Sequence, residues 1–134
     1  MYTEKSPGGS IYPYYFKGGQ LFGLHYGSFH KNEAGLLARM KAEEEFMDRP
    51  NRLFPLWVDF YETKLTDRIL LELLESCMRL QKHIIKLAIV GCSPWDRWRL
   101  QRLARKAGLV MPFPLRFFDD PEVAKTWLVS DPGR

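Results

Sequence analysis

A buried strand that leads directly into a capped helix is the feature of this sequence that most constrains its fold. Residues 84–91 read IIKLAIVG, a run too short and too apolar for an amphipathic helix, and typical of a buried strand. Ser93 follows as a helix N-cap, with Pro94 at the first helical position and Asp96 at the third, and Gly108 ends the helix. A strand joined to a helix by so short a turn is the repeating unit of an α/β domain.

The rest of the chain repeats this alternation. The pair Gly18-Gly19 stands between two aromatic runs and predicts a hairpin. The further elements are predicted as strands near 12–17 and 20–27, a helix over 33–47, a strand over 53–60, a helix over 66–83, a strand over 115–118 and a helix starting within 119–122. This order predicts an α/β fold: an N-terminal β-hairpin followed by βα units, with a mostly parallel sheet of about five strands and about four helices.

The chain of 134 residues has the length of a single domain. Residues 1–10 are polar and rich in Gly and Pro, so they are predicted to be a flexible N-terminal segment outside the fold. The domain is expected over 11–130, with 131–134 as a flexible C-terminus. The polar start and the absence of a long apolar run predict a cytoplasmic protein without a transmembrane segment. Cys77 and Cys92 are expected to be reduced, because two cysteines make neither a disulfide framework nor a zinc cluster.

Positive charge is concentrated in one part of the chain. Between Arg79 and Lys106 there are eight basic residues and one acid, which leaves 12 basic and 15 acidic residues elsewhere. Such a patch attracts acidic proteins, polyanions or the surface of an anionic membrane, although it is as often a solvated helix face. No nucleic-acid-binding motif accompanies the patch, so nucleic acid is not an expected partner. Peripheral contact with an anionic membrane remains compatible with it.

Four segments resemble, in the same order, the SpoIIAA-like domains of the STAS type. They are WVDF at 57–60, KLAIVG at 86–91, SPWDRW at 93–98 and LRFFDDPEVAKTWL at 115–128. The closing segment carries the resemblance best, and the whole similarity covers residues 20–129. The resemblance implies a STAS-like or CRAL-TRIO-like αβ fold that serves as a regulatory or protein-interaction module without catalysis or a cofactor. Some relatives bind a small or lipidic ligand, so the resemblance also implies this as an alternative role.

The phosphorylation switch of related anti-sigma-factor antagonists is not expected here. Those proteins carry a phosphorylatable serine in a D-S-S-G turn after a core strand. When Asp59 is matched to the aspartate at the strand end, the turn falls on residues 67–70, which read DRIL and contain no serine. Thr63 or Thr66 could take the place of that serine, but Thr66 also fits the N-cap of the following helix.

Polar side chains follow two strands at the edge where parallel sheets usually bind ligands. Asp59, Tyr61, Thr63 and Thr66 follow one strand, and Cys92 and Ser93 follow the next, so they are predicted to line a ligand or switch crevice. Cys92 would also lie at a helix N-terminus, where the helix dipole favours the thiolate. It is either a nucleophilic or redox-sensing cysteine, with His25 or His83 as base, or a small residue packed in a tight turn.

The helix that begins at Pro94 places two tryptophans among cations. At 100° per residue, Trp95, Trp98, Arg102 and Arg105 fall on the side opposite the leucines. Tryptophan and arginine are enriched at interaction hot spots, so this face is predicted to bind a partner. The alternative is local packing, with Trp95 over the sheet edge and Trp98 against residues 11–16. The aromatic hairpin itself could fill the core, line a pocket or form a dimer interface.

Three functional interpretations follow. The first is a non-catalytic STAS-like module that binds a partner protein and also self-associates as a homodimer, through the aromatic hairpin and the tryptophan-arginine face. The alternative is a binder of a small apolar or lipidic molecule, in a cleft between helix and sheet. The third is an enzyme or redox sensor that uses Cys92. No catalytic residue, metal ligand or cofactor is assigned, because no metal-binding spacing and no glycine-rich nucleotide loop occurs.

Overall fold

The computed structural model of the chain describes residues 4–50 and 52–130. Strands and helices alternate from the second half of the N-terminal hairpin onward, as predicted. The elements are β1 (Glu4–Lys5), β2 (Ile11–Tyr12), β3 (Tyr14–Phe16), β4 (Gly19–His25), α1 (Glu33–Met47), β5 (Phe54–Asp59), α2 (Asp67–Arg79), a 3-10 turn (Gln81–His83), β6 (Ile84–Val90), α3 (Pro94–Lys106), β7 (Leu115–Phe118) and α4 (Pro121–Leu128).

The main sheet has five strands in the order β3-β4-β5-β6-β7. Strand β3 is antiparallel to β4 across the Gly18-Gly19 turn, and β4 to β7 are parallel to one another. Strands β1 and β2 form a separate small antiparallel sheet. The fold is therefore α/β, with four helices and a mostly parallel sheet, as the sequence predicts.

The two faces of the sheet have separate hydrophobic cores. Helices α1, α2 and α3 cover one face, where side chains such as Phe22, Leu36 and Leu70 are fully buried. The other face, called here the second face, is covered by α4, whose Ala124, Trp127 and Leu128 pack on strands β5 to β7. Alternation along each strand sends neighbouring side chains to opposite cores.

Local capping signals explain where the helices begin. The Asn32 side chain accepts a hydrogen bond from the Gly35 N–H at the start of α1, and the Asp120 side chain accepts one from the Glu122 N–H at the start of α4. Helix α2 ends at Arg79, four residues before the predicted end. The intervening residues form the 3-10 turn, whose sequence pattern resembles the last turn of an α-helix.

The N-terminal segment differs from the expectation that residues 1–10 lie outside the fold. Its described part, residues 4–10, forms β1 and a turn that packs on α1. The buried Glu43 carboxylate accepts hydrogen bonds from the Ser6 hydroxyl (3.1 Å) and the Gly8 N–H (2.9 Å). Hydrogen bonding to a buried charge thus replaces the apolar contacts that the composition lacks. The predicted flexible C-terminus, 131–134, lies outside the described residues.

Candidate functional site

The loop after β5 is hydrogen-bonded to the loop after β4, at the edge where a crevice was predicted. The Thr63 hydroxyl donates to the Tyr26 carbonyl oxygen (2.8 Å) and accepts from the Phe29 N–H (3.2 Å). The Lys64 N–H donates to the His30 carbonyl oxygen (2.7 Å), and His30 and Thr63 form a parallel bridge. Thr63 therefore ties two loops together, and its oxygen is engaged on both sides.

Asp59 and Tyr61 lie beside this junction and face outward. The Asp59 carboxylate accepts a hydrogen bond from the Tyr61 N–H (2.9 Å), which is a local turn interaction. The Tyr61 ring is exposed. The hydrogen bond that the Tyr61 hydroxyl donates to the Glu62 carboxylate raises the pKa of this hydroxyl, so the group stays protonated at neutral pH.

The hydroxyls of Thr66 and Ser93 are used to begin helices. Thr66 accepts from the Ile69 N–H (3.2 Å) and donates to the Glu33 carboxylate (2.8 Å). Ser93 forms a reciprocal capping box with Asp96, with both hydrogen bonds at 3.1 Å. Of the two interpretations of Thr66, the structure shows the N-cap.

Cys92 lies just before α3, but its thiol is buried and packs in the helix-covered core. Burial raises the pKa of the thiol to about 12, with the nearby Asp96 carboxylate acting in the same direction. The expectation that the helix N-terminus would favour a thiolate is therefore wrong. Desolvation is the largest cause of the shift, because the thiol is packed among apolar side chains.

Neither histidine considered as a base lies beside Cys92. His83 precedes β6 and Cys92 follows it, so a strand of seven residues, about 23 Å long, separates them. The His83 ring is hydrogen-bonded to the Arg52 carbonyl oxygen and the Asp48 carboxylate. His25 ends β4, two strands from β6, with its ring against Trp57 on the second face.

The tryptophans of α3 form an exposed stack. Trp95 is 63% exposed and Trp98 is 44% exposed, and their ring centroids are 4.9 Å apart at an interplanar angle of 20°. The Arg102 guanidinium lies 5.6 Å from the centroid of the Trp98 ring. Packing of Trp98 against residues 11–16 is excluded, because β3 forms the opposite edge of the sheet from β7. Trp95, Trp98, Arg102 and Arg105 together are called the α3 surface below.

The basic residues of the 79–106 region divide into two groups. Arg97 donates to the Asp119 carboxylate (2.7 Å), and Arg99 donates to the carboxylates of Asp67 (2.7 Å) and Asp96 (2.9 Å). These arginines connect α3 to neighbouring loops. In the described parts of the chain the remaining cations of α3 have no ion pair; they are Arg102, Arg105 and Lys106. The net charge of the α3 surface is therefore uncompensated.

A pocket lined by the aromatic hairpin was one alternative offered by the sequence, and a pocket of about 220 Å³ that includes Tyr14 is present on the second face, although the rest of its lining was not predicted. It lies beside the antiparallel hairpin, and its lining includes Tyr14, Gly23, His25, Trp57 and Lys125. An isolated glycine in a strand marks a place where another group approaches the backbone closely, so Gly23 was the available signal. Lys125 reaches the pocket from α4, and the position of that helix could not be derived from sequence alone.

Within residues 4–50 and 52–130, no three His, Cys, Asp or Glu side chains are grouped so that they could hold a metal ion. None of the helices described is both long enough and apolar enough to cross a membrane. Comparison with protein-family models, curated proteins and solved structures finds no match to this chain.

Proposed function

We propose that this chain is a non-catalytic, STAS-like interaction module of the cytoplasm, which binds an acidic partner protein through the α3 surface. The observation that carries the proposal is the exposed stack of Trp95 and Trp98 beside arginines that have no ion pair in the described residues. Large exposed aromatic side chains that adjoin one another mark interaction sites on soluble proteins.

The stacked pair offers a rigid apolar area for a partner to cover. Each ring already restricts its neighbour, so little side-chain entropy is lost when a partner buries them. Tryptophan and arginine dominate hot spots, and truncating such a residue costs about 2 kcal/mol or more of binding free energy. The α3 surface combines both residue types.

Charge supports an acidic partner over a second copy of the chain. Arg102 and Arg105 lie one turn apart on the same side of α3, and no carboxylate of the described residues pairs with them. A two-fold contact between two α3 surfaces would bring like charges together, which is unfavourable. A partner that presents carboxylates around an apolar patch avoids that repulsion.

The polar groups at the carboxyl edge of the sheet support a role without catalysis. The hydroxyls of Thr63, Thr66 and Ser93 are engaged in loop and cap hydrogen bonds. The Cys92 thiol is buried and protonated. A nucleophile with an adjacent base, which covalent catalysis requires, is not assembled among these residues.

The test compares the wild-type chain with the double variant Trp98→Ala, Arg102→Glu. Each is immobilised and exposed to a lysate of the source organism, and a retained protein is then purified and titrated against the chain. We expect binding that weakens with added salt and is abolished in the double variant, because the apolar stack and the charge complementarity are both removed.

The matched control is Tyr61→Ala with Lys64→Glu, which also replaces an exposed aromatic residue and reverses one positive charge. This control should bind the partner as the wild type does, and both double variants should retain the wild-type far-UV circular dichroism. Equal binding by the two double variants would overturn the proposal. A dimer in native mass spectrometry that is lost only in Trp98→Ala, Arg102→Glu would assign the surface to a second copy instead.

A further inference from the structure

The pocket on the second face has the shape of a binding site for a flat apolar group. Its base is β4 at Gly23, where a Cβ atom would lie 2.7 Å from Cε3 of Trp57. The glycine thus allows the indole to lie across the neighbouring strand. Tyr14 and Ile11 add apolar walls from the N-terminal part of the chain. A cavity of about 150 Å³ holds one benzene ring, so 220 Å³ leaves room for a ring with a short substituent.

Two side chains that line this pocket, Trp57 and His25, have ring nitrogens without a hydrogen-bond partner in the described residues. The Trp57 indole N–H is buried and has no hydrogen-bond partner. The ring nitrogens of His25 make no hydrogen bond, and this ring meets the Trp57 ring edge-on at 5.2 Å. Burial of part of the ring lowers the pKa of His25, so at neutral pH its exposed ring is neutral and offers one N–H to a bound acceptor.

Lys125 supplies the positive charge. Its side chain is 15% exposed, and its ammonium lies 4.7 Å from the Trp57 ring centroid and 5.9 Å from that of Tyr14. Its ion pair in the described residues is with Glu122, at 3.7 Å, and the Glu122 carboxyl side chain is 68% exposed. Because the Glu122 carboxylate is exposed and 3.7 Å away, this ion pair contributes little, and the ammonium is available to a second anion.

The other charged groups near His25 leave the pocket favourable to an anion. Asp59 is its neighbour on β5, Arg39 donates to the His25 carbonyl oxygen from α1, and Lys125 lies on the α4 side. The one carboxylate, Asp59, already accepts a hydrogen bond from the Tyr61 N–H. Two cationic side chains and one carboxylate therefore lie near His25, which gives a net positive charge.

We propose that this pocket binds a small aromatic carboxylate, with its ring against Trp57 and Tyr14 and its carboxylate at Lys125 and His25. The site is separate from the α3 surface, and the proposal stands or falls independently of the partner-protein function. A carboxylate would accept a hydrogen bond from the His25 N–H and would place its negative charge beside the Lys125 ammonium. An aromatic ring matches the aromatic walls and the cavity volume.

The experiment titrates the ¹⁵N-labelled chain with 3-phenylpropionate, with its neutral amide 3-phenylpropanamide, and with hexanoate. We expect saturable binding of 3-phenylpropionate, about tenfold tighter than of the amide, because a charge-assisted hydrogen bond is lost in the amide. The indole N–H resonance of Trp57 should shift, while those of Trp95 and Trp98 stay in place. Hexanoate should bind more weakly than 3-phenylpropionate.

The variant Lys125→Met should bring the affinity for 3-phenylpropionate down to that for the amide, and Lys125→Arg should retain the preference. Lys82→Met, at an exposed lysine of the 3-10 turn, is the matched control and should bind as the wild type does. Far-UV circular dichroism of each variant confirms that it is folded. The proposal is overturned by an absence of saturable binding at millimolar concentration, by equal affinity for carboxylate and amide, by equal affinity for hexanoate, or by shifts confined to the α3 tryptophans.

Discussion

The two faces of the central sheet are covered by unequal amounts of helix. On one face, α1, α2 and α3 enclose a continuous core in which Phe22, Leu36 and Leu70 are fully buried. On the second face, the eight residues of α4 lie over β5 to β7, and the area beside β3 and β4 forms a pocket. The first face is closed and apolar, whereas the second contains the buried Lys86 and the half-buried Lys125.

The strand order accounts for this difference. From β4 to β7 each crossover moves to the next strand in the same direction, and right-handed crossovers then place all the connecting helices on one side. Among the described helices only α4 covers the second face, whereas the N-terminal segment packs on α1 and reaches the second face at the pocket, through residues 9–11. A concave area is therefore a consequence of the topology, and no special motif is needed to create it.

The largest expected effect compares two phenylalanines from opposite faces. Phe22→Ala should lower the free energy of unfolding by about 3–5 kcal/mol, because it leaves a cavity in the closed core. Phe118→Ala, on the second face, should lower the free energy of unfolding by less, because the side chain, which packs on Trp127, is only half-buried. Urea denaturation of both variants measures the difference. Equal losses would show that the second face is packed as tightly as the first.

The next effect concerns the buried lysine of the second face. The Lys86 ammonium donates to the Trp127 carbonyl oxygen (3.0 Å) and the Ser130 hydroxyl (2.9 Å), and so holds the C-terminal end of α4 on the sheet. Lys86→Met should lower the free energy of unfolding by about 1.5–3 kcal/mol, the usual range for charged hydrogen bonds. Hydrogen exchange should accelerate in α4 and stay unchanged in α1. Lys82→Met makes the same replacement at an exposed lysine, and it should change neither the free energy of unfolding nor the hydrogen exchange of α4.

A smaller effect is expected from filling the base of the pocket. Gly23→Ala places a methyl group 2.7 Å from the Trp57 ring, so the ring must move. Gly23→Ala should lower the free energy of unfolding by about 1–2 kcal/mol, as for modest overpacking. Near-UV circular dichroism should change with the tryptophan environment while far-UV circular dichroism does not. Unchanged stability and spectra would mean that the second face adjusts freely at this point.

The smallest effect is a pH dependence of opposite sign at two adjacent glutamates. Burial raises the pKa of Glu43, which holds the N-terminal segment beside the pocket, so its contribution to stability falls as the pH rises above the ordinary value of 4.5. Hydrogen bonds from Arg79 lower the pKa of Glu44, which joins α1 to α2, so its contribution is lost as the pH falls below that value.

Unfolding free energies of Glu43→Gln and Glu44→Gln, measured from acidic to neutral pH, separate the two groups. The first variant should lack the decline of stability with rising pH, and the second should lack the decline on acidification. Parallel profiles for both variants would contradict these assignments.

The features that were predicted correctly depend on local sequence. The capping box at Ser93 and the N-cap at Thr66 involve residues three positions apart, so the starts of α3 and α2 could be identified without knowledge of the fold. The exposed side of α3 also follows from helical periodicity. The STAS-like identity and the partner remain predictions, since neither is decided by these local features.

The features that were missed depend on contacts between distant segments. Glu43 stands between other acidic residues in an apparent solvated run, and it is buried because Ser6 and Gly8 approach it from 37 and 35 positions away. Thr63 is engaged by a loop that begins 37 positions earlier, at Tyr26. Sequence patterns within one element do not report such contacts. The hydrogen bonds between the loops after β4 and β5, and the packing of the N-terminal segment on α1, could therefore not be predicted.

The four tryptophans form two groups, one on the α3 surface and one in the core of the second face, and so provide two intrinsic optical reporters. Trp95 and Trp98 are stacked and exposed, so their excited states couple and a soluble quencher such as iodide can reach them. Trp57 and Trp127 are buried, each with a lysine ammonium within 5 Å of the ring centroid, and this charge shifts their emission wavelength. Occupation of the α3 surface or of the pocket therefore has its own spectral signature, and both can be recorded from one unlabelled sample.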